Sequence, residues 1–191
     1  MGEPKKDELY KFCKDIFGER GKTDDGTTKQ APTYAVGLIH GQMGVYVVKQ
    51  GGPINDDTAK KVVNAWKEKE WDGNLKDIWS VIDARNLATS QLRKNEWTSF
   101  HAEALVVSAM LSANNITTAE QLKAGIKDLG GALICSNCPA CYHCAKMLDG
   151  LGIGYGETDG KKSLTGWWNP FTDKAYPQAS KEFKDDVPGG L

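Results

Sequence analysis

Ala132-Leu133-Ile134-Cys135-Ser136-Asn137-Cys138-Pro139-Ala140-Cys141-Tyr142-His143-Cys144-Ala145-Lys146-Met147-Leu148 is the most informative stretch of this chain. Its first four residues are an apolar run short enough to be a strand. Pro139 suits the first position of a helix, because its φ is already helical and its missing N–H is not needed there. A helix is therefore expected from about Pro139 or Ala140 to Leu148, closed by Gly150 and Gly152. A strand that ends in a cysteine-rich turn and feeds a helix is an α/β arrangement.

The surrounding sequence agrees with that class. Glu8 to Phe17 reads as a short helix with Leu9, Phe12, Cys13 and Ile16 on one face. Tyr34 to His40 and Gly44 to Lys49 are β-rich runs joined by a Gly-containing turn, which predicts a hairpin. Asn55 or Asp56 can cap a helix over about Asp57–Glu70, with Val62, Val63 and Trp66 inward. Ile78–Ala84 reads as a strand. His101 to Asn114 is apolar nearly all round, the pattern of a helix buried on most sides. Thr118 and Gln121 make a capping pair for a helix that stops near Gly130-Gly131. Ile153–Gly156 is a further strand candidate. The alternation predicts one α/β/α sandwich around a central mixed sheet. Residues 1–30 read as an N-terminal extension, and 31–191 as the main domain, with a core over about 34–157 and a Trp-rich tail over 158–191.

Four of the five cysteines fall between 135 and 144, and the fifth is Cys13. Disulfides between such close neighbours would be strained. A cluster of this kind, in a chain whose first residues lack the apolar core of a signal peptide, reads first as metal or redox chemistry. Cys13 reads as a small apolar filler.

Forty residues before Cys141 stands His101-Ala102-Glu103, at the start of the apolar helix. A catalytic zinc takes three protein ligands and keeps one open position. His101, Cys141 and Cys144 offer one nitrogen and two sulfurs, and the two cysteines are one helical turn apart. Side chains in a first helical turn lean back past the helix end, and the positive end of the helix favours thiolate. Glu103 lies among apolar neighbours. Burial raises a carboxyl pKa and a nearby cation lowers it, so such a group can shuttle protons near neutral pH. Zinc also brings the pKa of bound water toward about 7. Together these parts describe hydrolytic attack on an amidine-like carbon.

His101-Ala102-Glu103 followed by Cys141-Tyr142-His143-Cys144 resembles the zinc-dependent nucleoside and nucleobase deaminases, whose pattern is H-x-E…P-C-x-x-C. The similarity spans about residues 34–157. Within that superfamily the chain is most similar to deaminase domains of bacterial polymorphic toxins. The resemblance implies a cytidine-deaminase-like α/β/α sandwich. It implies Zn2+ on His101, Cys141 and Cys144, with Glu103 as the catalytic proton carrier. The expected reaction is cytosine to uracil, with single-stranded DNA the first choice because an unpaired base costs least to extract. Double-stranded DNA, RNA, a free nucleotide and adenine remain as alternatives. The resemblance also implies an antibacterial toxin domain delivered by a secretion system, active in the target-cell cytoplasm and blocked by a cognate immunity protein. The chain departs from the family pattern in one place: Ala140 precedes Cys141, and Pro139 is one position early. Two registers follow, Cys141/Cys144 or Cys138/Cys141. The later pair is preferred, because Pro139 at the first helical position puts Cys141 and Cys144 in the first turns.

Composition narrows the field further. With 191 residues, 40% hydrophobic and 26% charged, the chain has ordinary globular composition. No apolar run nears the roughly 20 residues a membrane helix needs, so no membrane partner is expected. A net charge of −1, from 24 basic and 25 acidic residues, argues against coating nucleic acid by bulk charge. A flipped base needs aromatic walls and polar contacts. Trp97 and Phe100 just before His101, together with Ser99, Arg85 and Asn86 in the long connection 85–100, are the candidate substrate contacts. Arg93 belongs to the same connection. Trp167-Trp168 reads equally as a base-stacking platform or as a tail folded over the sheet. His143 is not expected to be a ligand, and His40 reads as a strand-end residue. A rival class is a cysteine-rich metal or iron–sulfur protein without deaminase activity. The cysteine spacing approaches a ferredoxin run, but the last interval is wrong, the trailing Pro is absent and His101-Ala102-Glu103 goes unexplained.

Overall fold

The computed structural model describes residues 2–18, 32–42, 45–50, 54–71, 101–160, 166–172 and 174–176. They form a mixed α/β structure. Helix α1 spans Lys6–Phe17, strand β1 Tyr34–Ile39, β2 Val45–Lys49, α2 Asp56–Glu68 and α3 Ala102–Ala113. They are followed by α4 Ala119–Asp128, β3 Ala132–Ser136, α5 Tyr142–Leu151, β4 Trp167–Asn169 and β5 Lys174–Tyr176. The strand expected over Ile78–Ala84 lies outside the described residues.

The hairpin forms as its β-branched runs predict. β1 pairs antiparallel with β2, from Tyr34 opposite Lys49 to Leu38 opposite Val45. β1 also pairs antiparallel with β3, from Ala35 opposite Ser136 to Ile39 opposite Ala132. The sheet order is therefore β2-β1-β3. The two-residue period of a strand sends alternate side chains to opposite faces. Ala35, Ile39, Tyr46, Val48 and Ile134 join the apolar cluster of α3, α4 and α5. Val36, Leu38, Val45, Val47, Leu133 and Cys135 join that of α1 and α2. Thus helices cover both faces, and Leu9, Phe12 and Cys13 of α1 are buried against the second one. Among the described residues, the parallel part of the expected mixed sheet is represented by two isolated bridges, Leu133 with Gly154 and Ala140 with Thr158. The first of these is all that forms of the strand expected over Ile153–Gly156.

Caps set the helix boundaries. Asn55 accepts from the Thr58 N–H at 2.8 Å and starts α2. Thr118 and Gln121 form the expected reciprocal capping box of α4. Gly152 ends α5 at φ 72°, a conformation open to glycine at no steric cost. The start of α5 differs from expectation. Its first residue is Tyr142 and its N-cap is Cys141, so Pro139 stands outside the helix. The Ala140 N–H donates to the Glu157 carbonyl at 2.8 Å, which holds this approach extended before the helix can begin.

α3 anchors the site. Ala102 to Val107 and Ala109 to Leu111 are all buried, and each large apolar side chain among them contributes about 1.5–3 kcal/mol by burial. The helix comes close to the sheet because β1 has a glycine at 37. A Cβ there would lie 2.3 Å from Val106 Cγ1. No helix among the described residues is long and apolar enough to cross a membrane.

Candidate metal centre

Two helix N-termini converge. His101 is the N-cap of α3. Cys141 is the N-cap of α5, and Cys144 lies one turn further on. His101 Nδ1 is 3.3 Å from Cys141 Sγ and 3.5 Å from Cys144 Sγ. The three donor atoms all fall within 4.8 Å of one another. Zinc bonds of about 2.0–2.1 Å to nitrogen and 2.3 Å to sulfur, spread over a tetrahedron, put such atoms roughly 3.5 Å apart. The donor set and its spacing thus suit a metal ion and are compatible with zinc.

The turn that presents the cysteines is fixed by Asn137, which is 1% exposed. Its side-chain oxygen accepts from the Tyr34 N–H at 2.8 Å, and its amide donates to the Gly18 carbonyl at 2.9 Å and the Pro32 carbonyl at 3.3 Å. One side chain therefore ties the end of β3 to the start of β1 and the end of α1.

Electrostatics follow from burial and contact. A hydrogen bond from Cys144, and then one with His101, hold the Cys141 thiol far below its ordinary value. Burial pushes Cys144 up. One proton shared between two close sulfurs gives this split, and a cation bound between them would favour thiolate at both. Burial alone would lower His101. The hydrogen bond and negative charge of Cys141, with the charge of Glu103, raise it overall. Glu103 is 4% exposed. Burial pushes its carboxyl up, against the pull of His101. Ser136 Oγ lies 2.7 Å from Glu103 Oε1.

Further contacts surround the candidate ligands. The Gly166 carbonyl hydrogen-bonds His101. Because Nδ1 faces the sulfurs, the nitrogen available to that carbonyl is Nε2. The Trp167 indole N–H donates to Cys144 Sγ at 3.4 Å.

His101, Cys141 and Cys144 therefore meet as the later register requires, and Glu103 sits beside them. Cys138 is outside the group, with Sγ 4.0 Å from Thr33 Oγ1. Cys13 is buried filler whose S–H donates to the Cys135 carbonyl at 3.3 Å. His143 is 1% exposed, its ring centroid 5.9 Å from that of Trp167. His40 closes the end of β1 by pairing with Glu3. Trp167 and Trp168 are 0% and 2% exposed, so neither offers a face to a base. Trp97, Ser99, Phe100, Arg85, Asn86 and Arg93 lie outside the described residues. Sequence reasoning missed Ser136, Asn137 and Gly166, and it read Trp167 as a stacking platform or a folded tail rather than as a neighbour of Cys144. The available signal was weak: polar residues at the end of an apolar strand, and an apolar pair in the tail. No protein-family model, curated protein or solved structure matches the chain.

Proposed function

We propose that this chain is a zinc-dependent hydrolytic deaminase that converts cytosine to uracil, with a cytidine-deaminase-like α/β/α sandwich as its framework. The observation that carries this reading is the pairing of an N/S/S donor group, drawn from two helix starts, with a buried carboxyl two residues from its histidine. A purely structural zinc site commonly has four protein ligands and needs no adjacent proton carrier. Three ligands leave room for a water, and Glu103 is the group to handle its protons.

His101, Cys141 and Cys144 would hold the zinc, whose contribution is to bring the pKa of a water toward about 7 at the open position. Glu103 would take one proton from the attacking water as its oxygen adds to C4 of the base, and deliver that proton to N3. It would then carry the added oxygen's remaining proton to the exocyclic amine as the C4–N bond breaks, so that cytosine and water give uracil and ammonia. Burial supports this role by raising the affinity of Glu103 for a proton, and Ser136 holds the carboxyl in place. Trp97, Ser99, Phe100, Arg85 and Asn86 are the proposed substrate contacts, and single-stranded DNA is the favoured polymer.

A four-cysteine iron–sulfur cluster is the weaker reading. Cys135 Sγ turns to the Lys6 carbonyl and Cys138 Sγ to Thr33, away from the other two sulfurs. Through the toxin resemblance, the proposed setting is the cytoplasm of a target bacterium after delivery by a secretion system, with an immunity protein as the partner. Expression in bacteria that lack uracil repair tests this function. Wild type should raise C-to-T mutations and Glu103→Ala should not. Good yields of folded wild-type protein with no excess of such mutations would sink the reading.

A further inference from the structure

We propose that the segment Gly166–Trp167, at the start of β4, seats the metal ligands from behind, with Trp167 acting as a positioning residue for the Cys144 thiolate. The inference rests on the zinc centre proposed above. It extends that centre to a part of the chain outside the span of the deaminase resemblance.

Two consecutive residues reach two different ligands. The Gly166 backbone is a hydrogen-bonding partner of His101, whose Nδ1 faces the sulfurs and whose Nε2 is the nitrogen left for that carbonyl. Ligating histidines are commonly fixed in tautomer and orientation by such a carbonyl. The Trp167 N–H takes Cys144 Sγ, and the contact is buried. A tryptophan inside a core needs an acceptor for its N–H. Packing alone would be served by phenylalanine, so the indole nitrogen beside a ligand sulfur is the informative feature.

The bond is also selective for the loaded state. A hydrogen bond to a charged acceptor is roughly twice as strong as one between neutral groups. Trp167 therefore holds Cys144 Sγ more firmly as a metal-bound sulfur than as a neutral one. Linkage makes the effect reciprocal: if the hairpin β4–β5 tightens metal binding, metal binding stabilises the hairpin.

The test compares wild type with Trp167→Phe, which keeps an aromatic ring in the core and removes the indole N–H together with its pyrrole ring. Trp66→Phe is the control, a buried tryptophan on the opposite face of the sheet. Zinc affinity is measured by chelator competition, and the site is loaded with Co2+ to read the sulfur-to-metal charge-transfer band. Trp167→Phe should bind zinc about 10-fold or more weakly, in the range for outer partners of ligands. Its band should move to lower energy, because a thiolate without its hydrogen bond gives up electron density more readily. Trp66→Phe should match wild type in both. If Trp167→Phe does not fold, wild type loaded with 113Cd provides the readout. An indole N–H resonance coupled to cadmium through Cys144 supports the proposal, and no such coupling overturns it. Wild type that takes up neither Zn2+ nor Co2+ overturns the metal centre itself. Wild type that binds both, with Trp167→Phe indistinguishable from it, overturns this proposal alone.

Discussion

Ser136 Oγ stands 2.7 Å from Glu103 Oε1 and 2.8 Å from the Cys138 carbonyl. The hydroxyl has one proton, so it serves one acceptor at a time. When Glu103 is ionised, Ser136 donates to the carboxylate. When Glu103 is protonated, the carboxyl can donate to Ser136, which turns its own proton to the Cys138 carbonyl. The pair is therefore satisfied in both states that proton transfer requires. Ser136→Ala should lower kcat about 10- to 100-fold, with zinc content unchanged, the range for a hydrogen bond to a charged group. A variant with wild-type kcat would show that the contact does not serve the reaction.

The register of the cysteines gives a second prediction. Cys141→Ser and Cys144→Ser should lose stoichiometric zinc by elemental analysis, and Cys138→Ser should keep it. Loss in Cys138→Ser with retention in Cys144→Ser would place the metal in the earlier register.

Gly37 links the sheet to the site. An added Cβ would meet Val106 Cγ1 at 2.3 Å, with Ile134 and Met110 each at 3.1 Å. Val106 and Met110 belong to α3, the helix that begins at His101. Gly37→Ala should destabilise the protein by about 1–3 kcal/mol, as overpacked cores do. Urea denaturation checks this, and an unchanged midpoint would contradict the close approach.

Alkaline pH should weaken the fold. Burial pushes the Cys135 thiol from 9.0 up to about 12, and burial likewise raises Cys13. Both thiols would ionise at the ordinary value in the unfolded chain. A folded pKa above the unfolded one gives stability that is whole below about pH 9 and is lost as pH rises toward about 12. The denaturation midpoint should fall across that window, and less steeply in Cys135→Ala. An equal fall in that variant would remove Cys135 from the explanation.

Much of this organisation was legible in the sequence, for physical reasons. The hairpin, the capped starts of α2 and α4 and the all-round burial of α3 depend on local periodicity and on short-range caps. The three candidate ligands were legible because their chemistry is narrow and their spacing places them at helix starts. The start of α5 was not. Pro139 is a good first helical residue by itself, but the bridge from Ala140 to Thr158 holds the chain extended past it. Trp167 was not legible either. Its partner is 23 residues away, and an apolar tail pattern predicts burial without saying where an indole N–H points. Ser136 is the last residue of a buried strand, and only the packing of α3 on β3 brings Glu103 to it.

The most direct test of the account is uracil formation by purified, zinc-loaded protein. Wild type and Glu103→Ala are compared on single-stranded DNA, duplex DNA, RNA and free cytidine. Wild type should form uracil, first on single-stranded DNA, and Glu103→Ala should form none with zinc still bound. One zinc per chain with no uracil from any of the four substrates, or equal uracil from both proteins, would contradict it.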